Sequence, residues 1–324
     1  MKRREFIAGL GAAAAWPLAA HAQQRGKIRR IGVLFALAET DQQAQARLGA
    51  FRGELQKLGW NEITIDARFV ASNSKDVHRR YAQELVALQP DVLFAQNADS
   101  TAALLQETAS IPIIFALVSD PVGSGFVTSF AKPGGNVTGF ATGVPTMGAK
   151  WLELLLEIAP DVKRVLVPYN SAAADYFLGS LKATAQLLAI EASAVFVRDL
   201  SELEAAIAAH ASKPSGGIIS VPDALLTNNR LEVTSLVARY NLPAIYPFRF
   251  FAESGGLLTY GSDSLDNFRR AAIYADRILK GAKVGELPVQ APEKFELLIN
   301  LQAAKSLKLT VPSQLLARAS EVIE

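Results

Sequence analysis

The 324-residue sequence has no cysteine. Disulfides and thiolate metal sites are therefore excluded. An exported lipoprotein carries its lipid on a cysteine at the mature N-terminus, so no lipid anchor is expected. Histidine is almost as scarce, with three residues. His21 falls in a leader-like segment. His78 and His210 sit in separate charged helical stretches, with no second histidine at metal-ligand spacing, and no metal site is expected. There is no G-x-S-x-G nucleophile elbow. Gly123-Ser124-Gly125 opens like a dinucleotide-binding loop, but Thr128 stands where the third glycine belongs and Asp120-Pro121 precedes it. No cofactor is implied. Carboxylates are plentiful, yet none is set apart as a pair, so an enzyme reading lacks a catalytic constellation.

A charge excess is also missing. Residues 1–22 hold three of the 33 basic and one of the 31 acidic residues, which leaves 30 of each in the remainder. Nothing here suits a nucleic acid or an anionic membrane surface. Those 22 residues have the form of a cleavable leader: Lys2, Arg3 and Arg4, an apolar run from Phe6 to Leu18 too short to span a bilayer, and Ala20-His21-Ala22 as a cleavage site. The expected mature chain begins at Gln23 and resides in the periplasm. Arg3-Arg4-Glu5-Phe6-Ile7 fits a twin-arginine signal and equally a general secretory one.

Half of the residues are hydrophobic, enough for the two cores that the chain length suggests. The centre of the pattern is Ile111–Phe140. Ile113, Ile114, Phe115, Leu117 and Val118 form a nearly unbroken apolar run, as in a parallel strand covered on both faces. Ser119-Asp120-Pro121 stops it, a short helix is expected over 122–131, and Lys132-Pro133-Gly134-Gly135-Asn136 reads as a turn. Upstream, Ala44, Leu48, Phe51, Leu55 and Leu58 share one helical face and Gly59 ends it. Asp99 or Ser100 is expected to cap the helix after a strand at 91–96. Beyond Phe140 the alternation starts again. Thr146 caps a helix, Ser201-Glu202-Leu203-Glu204 reads as a capping box, and one helix is expected over 225–239. The fold class is therefore α/β, with two doubly wound, Rossmann-like parallel sheets.

In open parallel sheets ligands bind beyond the C-terminal strand edges. Those edges supply Glu39, Asn97, Ser100, Thr101, Ser119 and Asp120 in the first half, and Tyr169, Asn170, Ser171, Asp223 and Tyr246 in the second. Tyr260 ends a later strand. Hydroxyls and helix starts at Ser100, Thr101 and Ser119 suit a carboxylate. Asp223 either faces an ammonium across the cleft or caps the helix that follows it. Tyr169, Tyr246 and Tyr260 either stack on an apolar ligand or pack. Ser100, Asp120 and Asn170 are equally good caps and turn formers. Together the edges describe a small zwitterion.

The segment VSDPVGSGFVTSFAKPGGNVTG (residues 118–139) resembles a block of one family, the ABC-transporter substrate-binding proteins, which includes tryptophan- and tyrosine-binding lipoproteins. Further resemblance lies in Ala36–Asp41, Phe248–Asp263, Phe268–Lys280 and the terminal LLARASEVIE. It implies type I periplasmic binding protein architecture, with crossovers near 139–145, 248–254 and 282–287. Lobe I would then be 28–140 plus 250–283, and lobe II 141–249 plus 284–324. It also implies a monomer that captures a small-molecule solute by hinge closure and passes it to ABC permease subunits with a separate ATPase. A ligand-sensing receptor and an exported enzyme using the same cleft are the alternatives.

Overall fold

The computed structural model describes residues 28–71 and 74–324. The leader reading for 1–22 lies outside them. The first half alternates β1 (Arg29–Phe35), α1 (Gln42–Lys57), β2 (Ile63–Phe69), α2 (Lys75–Ala87), β3 (Val92–Ala95), α3 (Ala98–Glu107), β4 (Ile113–Val118) and β5 (Val137–Ala141). These strands form a parallel sheet in the order β2-β1-β3-β4-β5. Alternate residues along each strand point to opposite faces. Ile31, Val33, Phe35, Val92 and Phe94 accordingly join one core, and Leu34, Leu93 and Ala95 join another on the far side. With both faces covered, the strands read as unbroken apolar runs.

The second half continues with α4 (Met147–Ile158), β6 (Arg164–Tyr169), α5 (Asp175–Leu187), β7 (Glu191–Phe196), α6 (Leu200–Ala211), β8 (Gly216–Ile219), α7 (Ala224–Asn228), α8 (Arg230–Arg239), β9 (Ala244–Tyr246) and α9 (Arg249–Glu253). Then come β10 (Leu258–Ser262), α10 (Ser264–Leu279), β11 (Phe295–Asn300), α11 (Leu301–Ser306), α12 (Ser313–Arg318) and β12 (Glu321–Ile323). Its sheet runs β12-β11-β10-β9-β8-β6-β7, parallel except for β10 against β11. Val165, Val167 and Ile219 face one core, Leu166, Ile218 and Ala244 the other. The molecule is thus α/β, with two sheet-centred lobes.

Several local expectations change. Residues 122–131 form turns in place of a helix. Asp120 Oδ1 accepts the Gly123 N–H at 2.7 Å, the Phe126 N–H returns to the Pro121 carbonyl, and Gly125 takes φ +72°. The caps shift as well. Asn97, two residues earlier than expected, caps α3 by accepting the Ser100 N–H at 2.9 Å. Asp199 and Glu202 make the reciprocal cap of α6, where Asp199 accepts the Glu202 N–H and the Glu202 carboxylate accepts the Arg198 N–H. Thr146 holds the cap position of α4 without a side-chain bond. The helix expected over 225–239 breaks at Asn229 into α7 and α8.

The strand β10 lies in the second sheet, whereas the sequence reading put it with lobe I. Burial decides this, because Leu257 and Leu258 belong to a second-lobe core. The helix α10 returns to the first lobe, where Phe268, Ala271 and Ala275 join the core beneath α1. Leu287 and Val289 also stay with first-lobe cores. The chain therefore crosses after β5, at Asp263 and at 291–294, and these crossings are bonded to one another. Ser262 Oγ donates to the Thr142 carbonyl at 2.8 Å, and Asn267 Nδ2 donates to the Ala141 carbonyl at 3.3 Å. The Ala141 N–H donates to the Gln290 carbonyl at 2.9 Å.

Gly139 lets β4 and β5 approach, since a Cβ there would stand 2.1 Å from the Phe115 carbonyl oxygen. Gly139→Ala should destabilise the protein by about 1–3 kcal/mol through that overlap. A urea-unfolding midpoint unchanged from wild type would contradict the close strand approach.

Candidate functional site

The C-terminal edges of both sheets face one another across a cavity of about 90 Å³. The first-lobe wall comprises Ala36, Arg47, Gln96, Asn97, Leu117 and Ser119, with Ala98 and Asp99 beside them. The second-lobe wall comprises Ser171, Ala173, Pro222, Asp223, Thr227 and Phe248, with Ala224 and Asn228 beside them. Gln96 is anchored, its Oε1 accepting the Ala36 N–H at 2.9 Å. Leu117 reaches the cavity through a bulge: the β4–β5 register shifts between Ala116 and Val118, and Leu117 takes φ +54°. A leucine in the left-handed region is strained, and such strain clusters at ligand sites.

The charged members lie in two places. Asp223 is buried and caps α7. It accepts the Asn170 N–H at 2.7 Å and the Leu226 N–H at 3.2 Å. Burial pushes its carboxyl above the usual range, and these backbone N–H groups pull the other way. The capping reading of Asp223 holds, and the same residue lines the cavity.

Arg47 is the second group. It projects from α1 and is 1% exposed. None of its Nε, Nη1 and Nη2 atoms has a hydrogen-bond partner among the described residues. The guanidinium lies over two rings, 5.7 Å from the Phe250 centroid and 5.8 Å from that of Phe268. Burial brings its pKa down to about 10, Asp41 opposing and Arg230 assisting. Asp41 itself is committed elsewhere. It caps α1 through the Gln43 N–H and binds Arg230 of the other lobe through both carboxylate oxygens, at 2.8 and 3.2 Å. Arg47 was not anticipated. Its signal was an arginine three residues after Ala44 and four before Phe51, on the apolar stripe of an amphipathic helix.

Of the residues expected at the site, Asn97, Ser119, Ser171 and Asp223 line the cavity. The others serve elsewhere. Glu39 is exposed in the turn before α1. Ser100 and Thr101 are buried in α3, the Thr101 hydroxyl donating to the Asn97 carbonyl at 2.6 Å. Asp120 holds its turn. Asn170 braces Val197 with its side chain at 2.7 Å. Tyr169 packs edge-on against Phe196, and Tyr260 stacks on Phe295. Tyr246 stacks on Phe251 and lines a separate cavity of about 240 Å³ inside lobe II. For the three tyrosines the reason is geometric: a strand end places a residue at the sheet edge, but its alternation decides whether the side chain enters the cleft or the core.

Residues 30–323 match the family model described as ABC transporter substrate binding protein. The chain belongs to the ABC transporter substrate-binding protein family. It is 30% identical over 240 residues to a tyrosine-binding protein of Clostridioides difficile, covering 73% of this chain and 68% of that one. Among solved structures, a conserved domain protein from Vibrio cholerae matches with TM-score 0.84 at 27% identity, over 91% of this chain and 100% of the other. A Streptococcus domain in complex with L-Trp matches with TM-score 0.85 at 24% identity, over 92% and 100%. A ligand-free, open substrate-binding protein from Clostridium difficile matches with TM-score 0.69 at 25% identity, over 91% and 99%. The fold is that of type I periplasmic binding proteins.

Asp223→Asn should cost about 1–3 kcal/mol of stability, because its amide nitrogen would meet a backbone N–H donor at Asn170 or Leu226. Unchanged unfolding in urea would show that the carboxylate is not tied to those groups.

Proposed function

We propose that this protein is the periplasmic capture component of an ABC importer and that its solute is an amino acid or a similar small zwitterion. The carrying observation is the cavity itself, with a buried cation on one wall and a buried carboxylate on the other. A molecule with an acid at one end and an amine at the other matches both. Leu117, Pro222 and Phe248 offer apolar surface between them. The tyrosine-binding relative supports an aromatic amino acid. The solute bridges the lobes and stabilises their closed arrangement. The lower match to an open structure, and the Asp41–Arg230 pair across the cleft, support a closed state here. Delivery falls to permease subunits, with ATP hydrolysed by a separate ATPase. The protein acts as a monomer and is exported by its leader.

A thermal-shift screen of the chain from Gln23 against amino acids, amides, small acids and sugars tests this reading. A true solute at about 100 times its dissociation constant adds roughly 2.7 kcal/mol of stability. The expected leading hits are amino acids, with L-tryptophan and L-tyrosine among them. Hits confined to sugars would overturn the ligand class, and no hit at all would overturn solute capture.

A further inference from the structure

We propose that Arg47 is the acid-recognition residue of the cleft, its guanidinium forming a bidentate pair with a carboxylate of the solute. The inference rests on the solute-capture reading and names the chemistry by which that site selects. A guanidinium almost fully removed from water needs hydrogen bonds or a counter-charge to offset its lost hydration. Arg47 has neither. Its three nitrogens have no hydrogen-bond partner among the described residues. The nearby carboxylate of Asp41 already takes the fork of Arg230 and the Gln43 N–H. Arg47, Arg230 and Asp41 together leave one positive charge unbalanced. The rings of Phe250 and Phe268 return part of the hydration energy and hold the side chain in place. Rings beneath a guanidinium contact its face and leave its in-plane N–H groups free to donate. Those groups belong to a residue that lines the solute cavity.

Phe268 comes from α10 on the first lobe, whereas Phe250 comes from α9 on the second. The setting of Arg47 is therefore completed only when the lobes meet. An acid that binds Arg47 joins its own recognition to closure. Solutes without an acidic group would leave the charge buried and unpaired.

Isothermal titration of wild type, Arg47→Met and Arg47→Lys tests the assignment. The probes are L-tryptophan, L-tyrosine, the decarboxylated tryptamine and tyramine, indole-3-propionate, which lacks the amine, and any other hit from the screen. In wild type, removing the carboxylate from the best solute should weaken binding by about 100-fold. Arg47→Met should lose the same factor for the acid and nothing further for its decarboxylated partner. Arg47→Lys, which keeps the charge without the fork, should fall between the two. Without solute, Arg47→Met should melt at or above the wild-type temperature, because it removes an unpaired charge. Full acid affinity in Arg47→Met overturns the assignment and leaves the amino-acid reading intact. Should Arg47→Met not fold, undiminished acid affinity in Arg47→Lys overturns it equally. Tight binding of indole-3-propionate that is lost in Arg47→Met sustains the assignment while removing the zwitterion. A best solute with no acidic group, or binding by none of the probes and hits, overturns it.

Discussion

The ion pair between Asp41 and Arg230 ties the two lobes together across the cleft, and the proposed closed arrangement rests on it. It joins the start of α1 in one lobe to the start of α8 in the other, through two N–H···O bonds at side chains only 12% and 17% exposed. Charge-assisted, bidentate and partly shielded from solvent, it is stronger than an ordinary surface pair. Six residues along α1, Arg47 works in the opposite sense, since closure buries its charge between the lobes. On the proposed reading, an anion that pairs with Arg47 favours the closed lobes, because a ligand shifts an equilibrium only through its differential affinity for the two states.

The crossings leave each lobe with its own cores. Each lobe fills its own sheet faces, with separate hydrophobic clusters on each side. The three crossings are short and share hydrogen bonds through Thr142, Ser262, Asn267 and Gln290. The Leu117 bulge stands beside them, at the point where β4 reaches the cleft and the Thr142 N–H donates to the Val118 carbonyl.

Much of the fold was legible in the sequence, because alternation of apolar strands and amphipathic helices is a local property. The β1 to β5 strands and most helices follow from it. The crossings were not legible. Whether Leu258 or Leu287 joins one core or the other depends on contacts remote in sequence. The site was legible only in outline. Asn97, Ser119, Ser171 and Asp223 were reached by the strand-edge rule. Tyr246 and Tyr260 obeyed the same rule and turned into packing. Arg47 escaped because it lies on a helix and not at a strand end, although a charge on an apolar stripe marks a position that needs explaining.

Closure around a bridging solute can be measured directly. The absence of native cysteine allows paired spin labels at Gln56→Cys on α1 and Ser235→Cys on α8, both exposed positions on opposite lobes. Pulsed dipolar spectroscopy then gives their distance distribution with and without the strongest solute from the screen. Hinge closure requires the distribution to move to a shorter, narrower distance at saturation. The same distribution in the free and saturated protein would contradict capture by closure.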